Sequence, residues 1–113
     1  MPTTLAVEET LPRRPGLAVV HFRAGGSDAC DSVAAILAQL VQDFAGRLPL
    51  TEIDVHDRPD LAARYNVQAT PTILLVRDGD VVDRVIGGAS RILLQSLLDA
   101  RASLHPSGTP PSS

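Results

Sequence analysis

The chain contains one cysteine, Cys30, in the stretch Gly25-Gly26-Ser27-Asp28-Ala29-Cys30-Asp31. A thiol can attack a disulfide, bridge two chains, or fill space as a small hydrophobe. A second thiol three positions earlier would allow exchange within one chain, but that position holds Ser27. The same residues are good helix-start chemistry. Ser27 or Asp28 can accept an orphan backbone N–H, and Asp28 with Asp31 resembles a capping box with a shorter acid. Both carboxylates also favour the positive end of a helix. Cys30 then lies in the first helical turn, facing inward. The helix end favours a thiolate there, whereas burial and two carboxylates oppose it. The favoured reading is a slow, structural thiol; the other is a monothiol that forms a mixed disulfide or links two copies of the chain. Two of the three histidines, His56 and His105, fall in a loop and a tail without clustered partners, so no metal site and no cofactor is expected.

These residues need a frame. At 113 residues and 44% apolar, the chain makes one small domain with a single core. A net charge of −3, from 10 basic and 13 acidic residues spread evenly, argues against a nucleic-acid surface or a polybasic membrane patch. Every basic residue is Arg, which reads as coding bias. No apolar run approaches the ~20 residues of a membrane span. The N-terminal stretch MPTTLAVEETLPRRPG lacks a basic-then-apolar signal pattern, and one cysteine implies no oxidising compartment. A cytoplasmic monomer is expected.

Residues 1–16 read as an extension that adds at most a short strand at Thr4–Glu8, and 105–113 as a disordered Pro/Ser-rich tail. Between them the pattern alternates. LAVVHF (17–22) is apolar on both faces, as a central strand should be. DSVAAILAQLVQDFAG (31–46) has helical spacing and stops at Gly46, and LPLTEIDV (48–55) is a second strand. RPDLAARYNV (58–67) is a short helix with Pro59 near its start. TPTILLVRDGDVVDRVIG (70–87) is a hairpin around Asp78-Gly79, and SRILLQSLLDARASL (90–104) is a closing helix with Ser90 as N-cap. Helical crossovers make the first strands parallel and the hairpin adds antiparallel ones. The expectation is an α/β fold with a mixed central sheet.

From about Leu17 to Leu104 the chain resembles the thioredoxin family. VVHFRAGGSDACDSVAAIL looks like that family's strand, active-site turn and long helix. IDVHDRPDLAARYNVQATPTILLVRDGDVV looks like its following strand, helix and hairpin, and Gly87 sits where the family has a glycine after the last strand. The resemblance implies a three-layer α/β/α sandwich with a cis-proline loop at Thr70-Pro71. It breaks at the active site. The family's Trp-Cys-Gly-Pro-Cys stands here as Gly26-Ser27-Asp28-Ala29-Cys30, with its attacking cysteine on Ser27 and its resolving cysteine on Cys30. Arg23 and Gly26 stand where the family has tryptophans, and Ala29 where it has proline. Exchange needs an attacking thiolate and a second thiol to release the mixed disulfide. A serine hydroxyl without an adjacent base does not substitute.

Two further positions depart together. His21 stands where the family usually buries an Asp beneath the resolving cysteine, and Glu52 where it often has a Lys. Reversal of both charges implies that the side chains still meet, since an unpaired buried charge is costly. The favoured reading is a neutral core histidine hydrogen-bonded to Glu52, ahead of a base or ion-pair partner under Cys30. At Thr70 and Pro71 the resemblance is intact and implies a backbone able to pair with an extended peptide. The expected function is therefore a redox-impaired relative of the thiol-disulfide oxidoreductases, either monothiol or a Cys-to-Ser variant of a dithiol parent. The alternative is a non-catalytic module or assembly chaperone that grips a partner polypeptide.

Overall fold

The computed structural model describes residues 16–44 and 47–103. The strand expected at Thr4–Glu8 and the Pro/Ser-rich tail lie outside them. Alternation along β1 (Leu17–Arg23) divides its side chains between two cores. Val19 points to one, and Ala18, Val20 and Phe22 to the other. A strand buried on both faces must be central. β1 pairs in parallel with β2 (Leu50–Asp54) and antiparallel with β3 (Thr72–Arg77), and β3 pairs antiparallel with β4 (Asp80–Ile86). The sheet order is β2-β1-β3-β4.

Helices cover both faces. α1 (Asp28–Asp43) presents Val33, Leu37 and Leu40 at helical spacing, and α3 (Arg91–Ser103) presents Leu94 and Leu98. These pack with Val19, Ile73 and Leu75. On the opposite face, α2 (Pro59–Arg64) contributes Leu61 to a core with Val20, Phe22, Leu74 and Val76. The result is a three-layer α/β/α sandwich with a mixed sheet. Among the described residues, no helix is long and apolar enough to cross a membrane.

Local signals fix the element ends, which differ by a few residues from the sequence reading. α1 starts at Asp28 and ends at Asp43, with the backbone N–H of Phe44 closing the last turn onto Leu40 and Gln42. β2 is shorter than 48–55 because Leu48 and Pro49 turn into the strand before pairing begins at Leu50. α2 stops at Arg64, and Asn66 takes a left-handed backbone with φ 58°. The hairpin turn places Asp78 and Gly79 at φ 54° and 89°, the mirror-image turn that suits a twisted ribbon. Ser90 caps α3 by accepting the Leu93 N–H at 3.1 Å.

Leu37 is 1% exposed, in the core where α1 meets the sheet and α3. Leu37→Ala should destabilise the fold by about 2–5 kcal/mol through lost burial and a residual cavity. Urea unfolding should show this as a lower midpoint at unchanged slope.

Candidate functional site

His21 and Glu52 are direct partners in the parallel register of β1 and β2. Side chains alternate in step along both strands, so the pair shares the face covered by α1. His21 is wholly buried, with Nδ1 3.2 Å from the Glu52 Oε2. An ionised carboxylate only accepts, so Nδ1 carries the proton of this bond and Nε2 of the neutral ring keeps a bare lone pair. Among the described residues Nε2 is buried without a hydrogen-bond partner. Burial holds the imidazole below its usual 6.5, against the opposing pull of Glu52. Burial also works to raise Glu52, but hydrogen bonds from Arg23 and His21 prevail and hold it below 4.5.

Glu52 is one link in a longer chain. Arg23, two residues beyond His21 on the same strand face, donates through Nη1 to the Glu52 Oε1 at 2.9 Å. Its Nη2 donates to the Asp31 Oδ1 at 2.6 Å. The start of α1 is thereby tied to β1 and β2. This corrects the expected Asp28–Asp31 capping box. Ser27 is the N-cap, its Oγ accepting the Cys30 N–H at 3.2 Å, and Asp31 lies one position too far along the helix to close a box from there. A guanidinium is the stronger partner for that carboxylate.

Cys30 is 0% exposed. Its Sγ accepts the Ala24 backbone N–H at 3.4 Å, so the sulfur sits at the end of β1, beneath the turn. The turn itself needs glycine at Gly26, where φ is 79°. The peptide bond between Thr70 and Pro71 is cis, and Pro71 is anchored where its carbonyl accepts the Gly87 N–H at 2.8 Å. A shallow cavity of about 210 Å³ lies beside this loop, lined by Ala24, Val55, His56, Val67, Gln68, Ala69 and Thr70. Ala24 joins the two halves of the site: its N–H meets the Cys30 sulfur, and it shares the cavity with Thr70. Ser27 bonds to Cys30, and Cys30 to Ala24, with neither bonded to Thr70.

A sheet ordered β2-β1-β3-β4, a helix capped one turn before a buried cysteine, and a cis-proline loop define a family-level pattern. The thioredoxin family model matches residues 4–100. The chain belongs to the thioredoxin family. It is 33% identical over 81 residues to thioredoxin C-2 of Corynebacterium nephridii, covering 72% of this chain and 75% of that protein. It is 33% identical over 84 residues to a thioredoxin of Staphylococcus aureus, covering 74% and 81%. A mutant thioredoxin from Halobacterium salinarum superposes with a TM-score of 0.74 at 25% identity, over 81% of this chain and 80% of that one. Mitochondrial thioredoxin 3 from Saccharomyces cerevisiae, in its oxidised form, gives 0.70 at 26% identity, over 78% and 81%. This member of the family has a single cysteine.

Arg23 and Asp31 were missed as site residues by reasoning from the thioredoxin pattern. Arg23 registers there only as a lost tryptophan, and Asp31 only as helix-end charge. The available signal was the i, i+2 spacing of His21 and Arg23, which puts both on the face of Glu52. His56 and Gln68 at the cavity carry no signal of that kind. Among the described residues, no group of three or more His, Cys, Asp or Glu side chains is placed to hold a metal ion.

Removing the carboxylate tests the pair. Glu52→Ala leaves the buried Nδ1–H of His21 unsatisfied and should cost about 1–3 kcal/mol in denaturant unfolding. The sign of the pH dependence follows from the two directions. The unfolded chain binds a proton at His21 below 6.5 that the folded chain refuses, so stability should fall as pH drops below that value. Glu52 contributes stability above 4.5 that is lost only on further acidification, through its lowered folded value. Urea midpoints measured from neutral pH into acid should therefore decline in two stages.

Proposed function

We propose that this chain holds an extended polypeptide without exchanging disulfides with it. The observation that carries this reading is the use made of Ser27 and Cys30. The Ser27 hydroxyl accepts the Cys30 N–H as a helix cap, and the Cys30 sulfur is fully buried on the Ala24 N–H. Dithiol exchange needs an accessible thiolate that attacks and a neighbour that resolves. Neither is available, because the hydroxyl has no base beside it and the sulfur has no route to a substrate while the turn is closed. The same burial weighs against a Cys30-linked dimer.

The binding half of the reading rests on the Thr70-Pro71 loop. Family resemblance gives the Thr70 backbone the role of pairing with an extended chain by strand addition. Strand pairing sends alternate side chains to opposite sides. The cavity beside Thr70, walled by Ala24, Val55, Val67 and Ala69 with His56 and Gln68 as its polar lining, suits one apolar side chain of such a peptide. The proposed working residues are Thr70 and Pro71 for the peptide, with His21, Glu52, Ser27 and Cys30 keeping the adjoining turn in shape.

The purified chain should not catalyse reduction of a protein disulfide by a small dithiol above background. A stoichiometric complex with a partner polypeptide should survive Cys30→Ala. Ser27→Cys should create a bridgeable pair, since one helical turn brings two sulfurs at this spacing within disulfide range, and some reductase activity should appear with it. Catalytic turnover by the unmodified chain would make Cys30 a working nucleophile and overturn the proposal.

A further inference from the structure

We propose that His21 is an acid-sensitive latch: its protonation lifts the turn at the start of α1 and exposes Cys30. The geometry that points to this is an asymmetry around the imidazole. Nδ1 is committed to Glu52 at 3.2 Å, while Nε2 is buried with no partner among the described residues. A protonated ring needs acceptors at both nitrogens. The closed structure supplies one, so the second proton would be a cationic donor sealed away from water.

The charged surroundings do not compensate. β2 places two carboxylates on this face: Glu52, which bonds the ring with one oxygen and Arg23 with the other at 2.9 Å, and Asp54, which lies in register with Arg23 and accepts the His56 N–H at 2.8 Å. From β1 itself the nearby charge is Arg23, which repels a second cation. β3 places Ile73 directly across from His21. α1 contributes the Cys30 thiol, which lies on the Ala24 N–H, and Asp31, which reaches Arg23 rather than the imidazole. Asp31 is 62% exposed on its side chain, so water screens most of its charge. Burial outweighs the pull of Glu52 and keeps the folded ring neutral below 6.5.

Water must therefore reach Nε2, and the weakest cover is the α1 start. His21 lies on the β1 face that α1 covers, at the strand end where Ala24 meets the Cys30 sulfur. Beyond Ala24 the chain passes through Gly25 and Gly26, both exposed, before the Ser27 cap. Among the described residues this turn is held down by the cap, the Arg23–Asp31 pair, and the sulfur on the Ala24 N–H. Opening them frees His21 to protonate and uncovers Cys30 in one motion, without parting the strands of the sheet. The latch concerns Cys30 alone and does not depend on the peptide reading of Thr70.

The test is the accessibility of Cys30 as a function of pH. A pyridyl disulfide probe reacts with thiols in acid as well as at neutral pH. Its rate on the native chain, divided by its rate on the urea-unfolded chain at the same pH, cancels the intrinsic reactivity of the thiol. With 6.5 for the open-state histidine and a closed state that does not titrate, protection should fall up to roughly 25-fold from pH 7 to pH 5. At each pH the opening constant from this ratio should exceed the global unfolding constant from urea titration, which marks a local event. His21→Leu, which removes the titrating ring, should give protection that no longer varies over this range. Wild-type protection that is flat with pH, or that equals the global unfolding constant at every pH, would overturn the proposal. The wild-type measurement decides the matter even if the His21 variant does not fold.

Discussion

Glu52 sets the electrostatics of the site because one carboxylate serves two donors. Oε2 takes the buried imidazole and Oε1 takes the guanidinium of Arg23, whose other arm reaches Asp31 at the start of α1. β2, β1 and the start of α1 are joined through this one side chain. Glu52 is about one-third exposed, so it is ionised at modest cost and can still pay for a wholly buried neighbour. A neutral imidazole is the form that fits. A buried cation would need a carboxylate of its own, and Glu52 is already shared.

The cysteine and its serine then follow from helix-start physics. An N-terminal turn has donors to satisfy, and Ser27 satisfies the one on Cys30. An exchange-active turn must keep its first side chain exposed and reactive. A capping turn commits that side chain to the backbone. The two uses compete for one position, and the hydroxyl is suited only to the second. Cys30 is left to pack as a small apolar group under the turn, its sulfur accepting the Ala24 N–H that ends β1.

Much of this was legible in the sequence because it depends on short-range rules. Strand alternation, helical spacing, Asp78-Gly79 and Ser90 give the element order directly, and the resemblance to thioredoxins, with charges reversed at His21 and Glu52, implies a pair. Element ends were less legible, since Pro49 and Asn66 act through pairing and backbone conformation that only the folded chain displays. Arg23 was hidden for a different reason. Comparison with a family frames each residue as a retention or a loss, and a lost tryptophan at Arg23 hides a gained cation. Its role depends on where Asp31 lands, which in turn depends on Ser27 rather than Asp28 capping the helix. A shift of one residue at a cap redirects a carboxylate, and neither propensity nor periodicity resolves that shift.

The cis-proline loop and the thiol turn are held by separate contacts, which explains how one can persist while the other changes. Pro71 is anchored by the Gly87 N–H after β4, and Thr72 by its hydroxyl on the Ala69 carbonyl at 2.6 Å. None of these groups takes part in the Glu52 network or the Ser27 cap. Among the described residues the loop and the turn meet at Ala24, whose N–H reaches the Cys30 sulfur and which also lines the cavity, and at Arg23, whose carbonyl accepts the Val55 N–H at 2.9 Å. Substitution at Ser27 or His21 therefore breaks none of the hydrogen bonds that anchor the loop. The proposed loss of exchange chemistry would therefore carry no structural obligation to lose the loop, and this is the physical reason the proposed binding role is open to a member of this family with one cysteine.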